Sequence, residues 1–177
     1  FLPPDHTART YSIDSILSYL SNYGLSNNNN FLLVPSCHTK VIGLLHRCNE
    51  VVIFNEKGYA YLLHPEHSCV NNSVLLSHNP LSKCVVDSTR TLDTFLSYLE
   101  PITPVSVDKS KKTAIIFWNF STGIKSDDIP FDWAHILRQQ YGDSMNIVLA
   151  NVDISSSWPK EEQAVKLKYL REMLRYF

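Results

Sequence analysis

Cysteine and histidine are the residue types in this sequence whose spacing could support chemistry, and most of them fall in one stretch. The stretch holds Cys37, His38, His46, Cys48, His64, His67, Cys69, His78 and Cys84. A structural zinc ion takes four nitrogen or sulfur ligands in a tetrahedron, usually from closely spaced pairs. The pairs present here, His46-x-Cys48 and His67-x-Cys69, lack the spacing of a recognised zinc knuckle. We therefore predict no metal site and keep a Cys/His zinc site as an alternative.

Disulfide bonds are the interpretation that these cysteines favour. The chain has 4 cysteines and no CxxC motif, which leaves three possible pairings in an oxidising compartment. Pairing of Cys37 with Cys48, or of Cys69 with Cys84, would close short loops. One disulfide with buried free thiols fits equally well, because a free cysteine often packs as a small hydrophobe. The pairing stays open at this point.

Catalytic arrangements of other kinds are not favoured. No Gly-x-Ser-x-Gly motif occurs, and Cys37 next to His38 is not a dyad, because catalytic partners usually meet across the fold. The acidic pair Asp127 and Asp128 fits the start of a helix, where the helix dipole favours negative charge. We expect no catalytic residue and no cofactor in this segment.

Composition and charge narrow the class of protein. Of the 177 residues, 44% are apolar and 19% are charged, which is typical of a globular protein. Sixteen basic residues face 17 acidic ones without a long basic run, so nucleic acid is not expected as a partner. No apolar stretch reaches the roughly 18 residues of a membrane span. The first residues lack the pattern of a signal peptide, and the missing initiator Met indicates an excerpt or a processed form.

Two sequons for N-glycosylation provide a further hint about location. They begin at Asn71 and at Asn119. Such motifs also arise by chance, so they only permit a secretory location.

One segment of the chain repeats another. Residues 13–20 read IDSILSYL and residues 92–99 read LDTFLSYL. Both have apolar residues at i, i+3, i+4 and i+7, which predicts two equivalent amphipathic helices. Thr7 and Thr10 precede the first copy, Thr89 and Thr91 precede the second, and these could supply the N-caps.

The rest of the pattern predicts strands and helices in alternation. Short apolar runs predict strands at 31–34, 51–54, 59–63, 74–76, 113–118 and 146–154. Helical spacing predicts helices at 39–46, 131–141 and 160–177. The loop Asn55-Glu56-Lys57-Gly58 predicts a hairpin between two of the strands. Strand 113–118, helix 131–141 and strand 146–154 form a βαβ unit, which places both strands in parallel in one sheet.

This βαβ unit resembles the centre of a thioredoxin domain. In that family a buried strand ends in Phe-Trp before a Cys-Gly-x-Cys motif, a helix with a Tyr near its end follows, and the next strand ends in Val-Asp. The corresponding residues here are Phe117-Trp118, Tyr141 and Val152-Asp153. The resemblance implies an α/β fold of thioredoxin-like modules, with a central mixed sheet flanked by helices.

The redox motif of the family is missing. Where the family has its cysteine pair, this chain has Thr122, Gly123, Ile124 and Lys125. Without a thiolate to attack a disulfide and a second thiol to resolve it, this region cannot perform dithiol exchange. The family's cis-proline also has no clear counterpart.

The resemblance further implies an organisation in modules. Residues 1–24 would be the closing helix of a preceding module, and 25–104 would be a non-catalytic thioredoxin-like module similar to those of the protein disulfide isomerase type. Residues 105–177 would be a degenerate module that is truncated or diverged in its second half. This order is similar to multi-module proteins of the endoplasmic reticulum in which modules without cysteines precede a degenerate one.

The function that the resemblance implies is binding rather than catalysis. We expect a chaperone-like or scaffolding segment that engages folding clients or one protein partner, with Phe120 and Trp158 as candidate contacts. The expected location is the lumen of the endoplasmic reticulum or the extracellular space, with the cytoplasm as the alternative. An inactive portion of a disulfide oxidoreductase, whose CxxC lies elsewhere, is the alternative function.

Overall fold

The computed structural model describes residues 9–26, 28–45, 51–62, 81–102, 106–120 and 128–173. Strands and helices alternate along these residues. In chain order they are β1 (Thr10–Tyr11), α1 (Ile13–Asn22), β2 (Asn29–Leu33), α2 (His38–Leu45), β3 (Val51–Phe54), β4 (Tyr59–Leu62), β5 (Val85–Thr91), α3 (Leu92–Leu96), β6 (Leu99–Pro101), β7 (Lys112–Trp118), α4 (Asp128–Tyr141), β8 (Met145–Asn151), β9 (Ile154–Ser155) and α5 (Lys160–Met173). The chain therefore has an α/β fold, as the sequence predicts.

A mixed sheet of seven strands lies at the centre, in the order β5-β4-β3-β7-β8-β2-β6. The three inner strands β7, β8 and β2 are parallel to one another. The remaining neighbours in the sheet are antiparallel to each other. These pairs are β7 with β3, β3 with β4, β4 with β5, and β2 with β6. The predicted βαβ unit is present, because β7 and β8 are adjacent and parallel with α4 between them in the chain.

Side chains alternate between two apolar clusters along each inner strand, so the sheet separates two cores. On β7, for example, Ile116 and Trp118 lie in the first cluster, and Ile115 and Phe117 lie in the second. Helices α1 and α4 cover the first face of the sheet. Helices α2, α3 and α5 cover the second face. The fold is a helix–sheet–helix arrangement of three layers.

Strands from both of the predicted modules lie in this one sheet. Strands β7 and β8 come from 105–177 and lie between β3 and β2, which come from 25–104. Helix α1, from the segment 1–24, places Ile16 and Leu20 in the same first core as Trp118. Residues 25–104 and 105–177 therefore share one sheet, and α1 of the segment 1–24 packs into the first core of that sheet.

The two copies of the internal repeat begin alike and then diverge. Ser12 caps α1 by accepting from the Ser15 N–H, and Thr91 caps α3 by accepting from the Thr94 N–H. Helix α1 continues for 10 residues, but α3 ends after 5, and the chain then enters β6. The copies also lie on opposite faces of the sheet. Thr91 is a predicted N-cap, but α1 is capped by Ser12 and not by Thr10, and Thr7 lies outside the described residues. The repeat thus predicts where both helices begin, but the helices are not equivalent.

The predicted hairpin is confirmed, and its turn has a local explanation. Asn55 Oδ1 accepts from the N–H groups of Lys57 and Tyr59, both at 3.0 Å. Gly58 has φ +77°, a backbone conformation that glycine adopts without the penalty of a Cβ. These bonds turn the chain directly back from β3 into β4.

Candidate functional site

The carboxyl ends of the parallel strands β2, β8 and β7 meet at one edge of the sheet, where α/β folds commonly bind ligands. The residues that follow these strands form the candidate site. They are Pro35–Cys37 with His38 after β2, Val152 and Asp153 after β8, and Asn119 and Phe120 after β7. No helix in the described ranges is long and apolar enough to cross a membrane.

Asp153 fixes the backbone at this edge. Its side chain is 2% exposed, and its Oδ2 accepts from the Phe120 N–H at 2.7 Å and from Asn151 Nδ2 at 2.9 Å. The Asp153 N–H donates to Asn151 Oδ1 at 3.1 Å. A buried carboxylate needs such donors, because an unpaired charge is costly in an apolar environment. The strand ends β7 and β8 are thereby tied together directly below Phe120.

Phe120 belongs to a group of half-buried aromatic rings, which we call the aromatic surface and define as Tyr11, Tyr19, Tyr23 and Phe120. The Phe120 ring stacks on Tyr11 with centroids 4.5 Å apart and meets Tyr19 edge-on at 4.7 Å. Tyr19 and Tyr23 lie 5.3 Å apart. Aromatic rings at these separations attract one another beyond the burial of their area. The surface is therefore a preassembled cluster rather than a set of independent side chains.

Buried residues support the aromatic surface from below and from the side. Trp118 and Phe131 belong to the first core, and the Trp118 ring lies 5.8 Å from Tyr19 and 5.2 Å from Phe120. Strand β1 holds Tyr11 in place by pairing in parallel with β9, and the Ser156 N–H donates to the Tyr11 carbonyl at 2.8 Å. Burial, and then the Asp153 carboxylate, raise the pKa of the Tyr11 hydroxyl, so it stays neutral at physiological pH.

Trp158 does not lie on this surface. It is 6% exposed and packs in the second core, on the other side of the sheet from the aromatic surface. The sequence led us to expect a surface position for Trp158, and burial leaves it little area to offer to a partner in this conformation.

Trp158 instead contacts His38, the first residue of α2. The two rings meet edge-on with centroids 5.6 Å apart. His38 has no exposed area, and neither ring nitrogen makes a hydrogen bond of ordinary geometry to a described residue. The Val152 backbone nevertheless lies close enough to act on the ring. Burial, followed by the positive charge of Lys166, lowers the pKa of His38 to about 4, against a smaller opposing effect of the Val152 backbone. His38 is therefore a neutral imidazole at physiological pH.

The cysteines within the described ranges are Cys37 and Cys84, and both are free thiols in the structure. Cys37 packs against the second core and Cys84 against the first, so the sheet lies between them. They are thus unable to pair with each other in this fold. Cys48 and Cys69 lie outside the described residues, and the predicted pairings that involve them remain predictions.

Other predicted residues are placed only in part. The degenerate motif Thr122, Gly123, Ile124 and Lys125, the glycosylation candidate Asn71 and the predicted strand 74–76 lie outside the described residues. Asn119 is half-buried and directly follows β7. Among the residues that the structure does describe, no group of three or more metal-binding side chains comes together.

Two parts of the site are not predicted from the sequence. Tyr11 and Tyr19 come from the segment assigned to a preceding module, and the repeat drew attention to Tyr19 only as part of a helix. His38 was considered with the cysteines, and nothing in its neighbours indicates complete burial. The sequence matched no protein-family model and no curated protein, and the structure matched no solved structure.

Proposed function

We propose that this chain is a non-catalytic, thioredoxin-like binding segment of a secretory-pathway protein, and that it engages unfolded clients or a protein partner through the aromatic surface. The observation that carries the proposal is the position of Phe120. It is a half-exposed ring at the carboxyl edge of the parallel strands, directly before the segment where the thioredoxin family has its cysteines.

The chemistry of the aromatic surface supports an apolar, peptide-like ligand. Aromatic residues, and tyrosine above all, are enriched where proteins bind one another, because they bury a large area at low cost in side-chain entropy. Phe120 presents an apolar face, and the tyrosines add hydroxyl groups beside it. Unfolded chains expose apolar side chains together with their main-chain polar groups, and this combination suits such a surface.

The rigidity of the surface also supports binding. The Phe120 N–H is held by Asp153, and its ring is held between Tyr11 and Tyr19. A preorganised surface loses less conformational entropy when a ligand binds. The site can therefore bind without first ordering its own side chains.

Binding can be tested with a permanently unfolded probe. We suggest fluorescein-labelled α-lactalbumin, reduced and carboxymethylated, titrated with the purified chain while anisotropy is recorded. Phe120→Ala should weaken binding about tenfold, the loss of about 1.4 kcal/mol expected for one aromatic anchor. The matched control is Tyr59→Ala, because Tyr59 is also an exposed aromatic residue, 37% exposed, and begins β4 at the opposite end of the sheet.

Stability has to be separated from binding in this experiment. Phe120→Leu keeps an apolar side chain of similar size and serves as the second variant if Phe120→Ala unfolds. The proposal is wrong if the probe stays unbound when the wild-type chain is present at about 100 µM. The binding free energy would then be less favourable than about −5.5 kcal/mol. It is equally wrong if both Phe120 variants bind as tightly as Tyr59→Ala.

A further inference from the structure

His38 occupies a position that calls for an explanation. It is fully buried, and among the described residues neither ring nitrogen has a hydrogen-bond partner of ordinary geometry, the nearest candidate being the Val152 backbone. A neutral imidazole always carries one N–H donor and one acceptor nitrogen. Leaving such groups buried and unpaired opposes folding, by about 1–3 kcal/mol for a typical group. The surrounding structure must hold the ring in place against this cost.

The cover over the ring is formed by α5 and by the turn that precedes it. Trp158 lies edge-on against the ring. The Gln163 side chain donates to the carbonyls of Trp158 at 2.6 Å and Ser156 at 3.1 Å, which ties the turn to the helix. Lys166 Nζ donates to Thr39 Oγ1 at 3.1 Å, next to His38 in the chain.

None of the apolar side chains described on α5 is fully buried. Leu167 and Leu170 pack on the second core, but both are only partly buried. On the same helix, Val165 is 60% exposed. Segments with few buried apolar contacts are the ones that open locally in native proteins. Helix α5 therefore has the features of an element that can move away without disrupting the sheet.

The charged groups nearest the ring differ in their effect on a proton at His38 in the closed form. Lys166, on α5, contributes a positive charge. The Asp153 carboxylate, beyond Val152, is engaged with Phe120 and Asn151. On the His38 side, the Lys40 ammonium donates to the Tyr98 hydroxyl at 2.6 Å. Trp158 carries no charge. Within the described residues, Lys166 is the group whose charge acts on the ring.

We propose that α5 and the turn Ser156–Pro159 form an acid-sensitive latch over the second face of the sheet, and that His38 is its trigger. When the latch opens, the ring reaches water and binds a proton from the solvent. Returning the protonated ring to its place under Trp158 would bury an unpaired positive charge, which is costly. Acid therefore favours the open latch. Opening exposes Trp158 and the apolar residues beneath it, which gives the chain a second surface that is hidden at neutral pH.

The size of the effect follows from proton linkage. In the closed form the pKa of His38 is about 4, and in the open form we take the ordinary value of roughly 6.5. Between these values the open form binds more protons, so it gains population as the pH falls. From pH 7 to pH 5, the ratio of open to closed molecules should rise about 20-fold.

Hydrogen exchange with mass spectrometry on the whole chain tests the latch. Exchange is measured at pH 7 and pH 5, with labelling times corrected for the intrinsic rate, and peptides from α5 are compared with peptides from β7 and β8. We expect opening of α5 to increase about 20-fold at pH 5, with the strands unchanged. In His38→Leu, which removes the titrating group, α5 should show no such increase. His135→Gln is the matched control, because His135 is an exposed histidine on α4.

Two results would overturn the proposal. If α5 and the strands gain exchange by the same factor at pH 5, the chain unfolds as a whole and has no latch. If His38→Leu retains the response of the wild-type chain, His38 is not the trigger. If His38→Leu fails to fold, an NMR titration that measures the pKa of the His38 ring in the wild-type chain tests the proposal instead. An apparent pKa near 6.5 in the folded chain would contradict a closed latch, and a value near 4 would support one.

Discussion

Replacing Asp153 should reveal how firmly the carboxyl edge of the sheet is held. Both of its hydrogen bonds described above end on the same oxygen, Oδ2, which accepts from the Phe120 N–H and from Asn151 Nδ2. In Asp153→Ala both donors lose this acceptor. In Asp153→Asn, the single amide oxygen can take the place of Oδ2 and keep both bonds, although the charge is lost. The two variants therefore separate the hydrogen bonds from the charge.

The expected magnitudes follow from burial. An unsatisfied buried donor costs about 1–3 kcal/mol, so two such donors should destabilise Asp153→Ala by roughly 3 kcal/mol. A hydrogen bond to a charged acceptor is roughly twice as strong as a neutral one, but Asp153→Asn also removes the cost of burying a charge, so this variant should lose about 1 kcal/mol. With a slope of about 2 kcal/mol per molar urea, the midpoints should fall by roughly 1.5 M and 0.5 M.

Urea unfolding, followed by tryptophan fluorescence, measures both shifts. Asp132→Ala is the matched control, because Asp132 is an exposed aspartate on α4, and exposed substitutions usually change stability by less than about 0.5 kcal/mol. If Asp153→Ala has the midpoint of Asp132→Ala, the carboxylate does not hold Phe120. Equal losses in Asp153→Ala and Asp153→Asn would show that the charge dominates, against our reasoning.

Three further predictions concern the fold. Leu20→Ala removes a fully buried side chain of α1 and should lower the free energy of unfolding by about 2–5 kcal/mol in a single urea transition. Separate transitions by fluorescence and circular dichroism would contradict a core shared between α1 and the sheet. Gly58→Ala should lower the free energy of unfolding by about 1 kcal/mol, because φ at this position is +77°. The new Cβ itself would lie at an acceptable 3.6 Å from Leu92 Cβ. An unchanged melting temperature would contradict this prediction. Alkylation and peptide mapping of protein from an oxidising host should find no Cys37–Cys84 disulfide, and finding one would contradict the two-faced core.

The secondary structure could be predicted largely from the sequence, because it depends on local patterns. The apolar run of β7 and the helical spacing of α4 are read correctly, since each is set by burial of the element's own residues. Strand β5 was missed because its residues, VVDSTRT, are mostly exposed. These residues form a strand because they pair with β4 at the edge of the sheet. The pattern of apolar and polar residues in β5 does not indicate this pairing.

The order of the strands could not be predicted, because it depends on contacts between distant parts of the chain. Nothing in β3 or β7 alone indicates that they are neighbours, yet Ile53 pairs with Ala114 across the sheet. Trp158 was misplaced for a related reason. Its surroundings, Ser155 to Ser157, read as a polar exposed loop, but the Trp158 N–H donates to the Ser155 carbonyl and the turn directs the ring into the second core.

The central sheet makes the two proposed surfaces independent of one another. The aromatic surface rests on the first core, whereas the latch of α5 covers the second core. Opening of the latch removes no contact described here between Phe120, Tyr11 and Tyr19, although Ser156 connects the turn to Tyr11 through one main-chain bond. Binding of the unfolded probe through Phe120 should therefore persist in His38→Leu. In the same way, Phe120→Leu should leave the acid response of α5 intact, so either proposal can fail while the other stands.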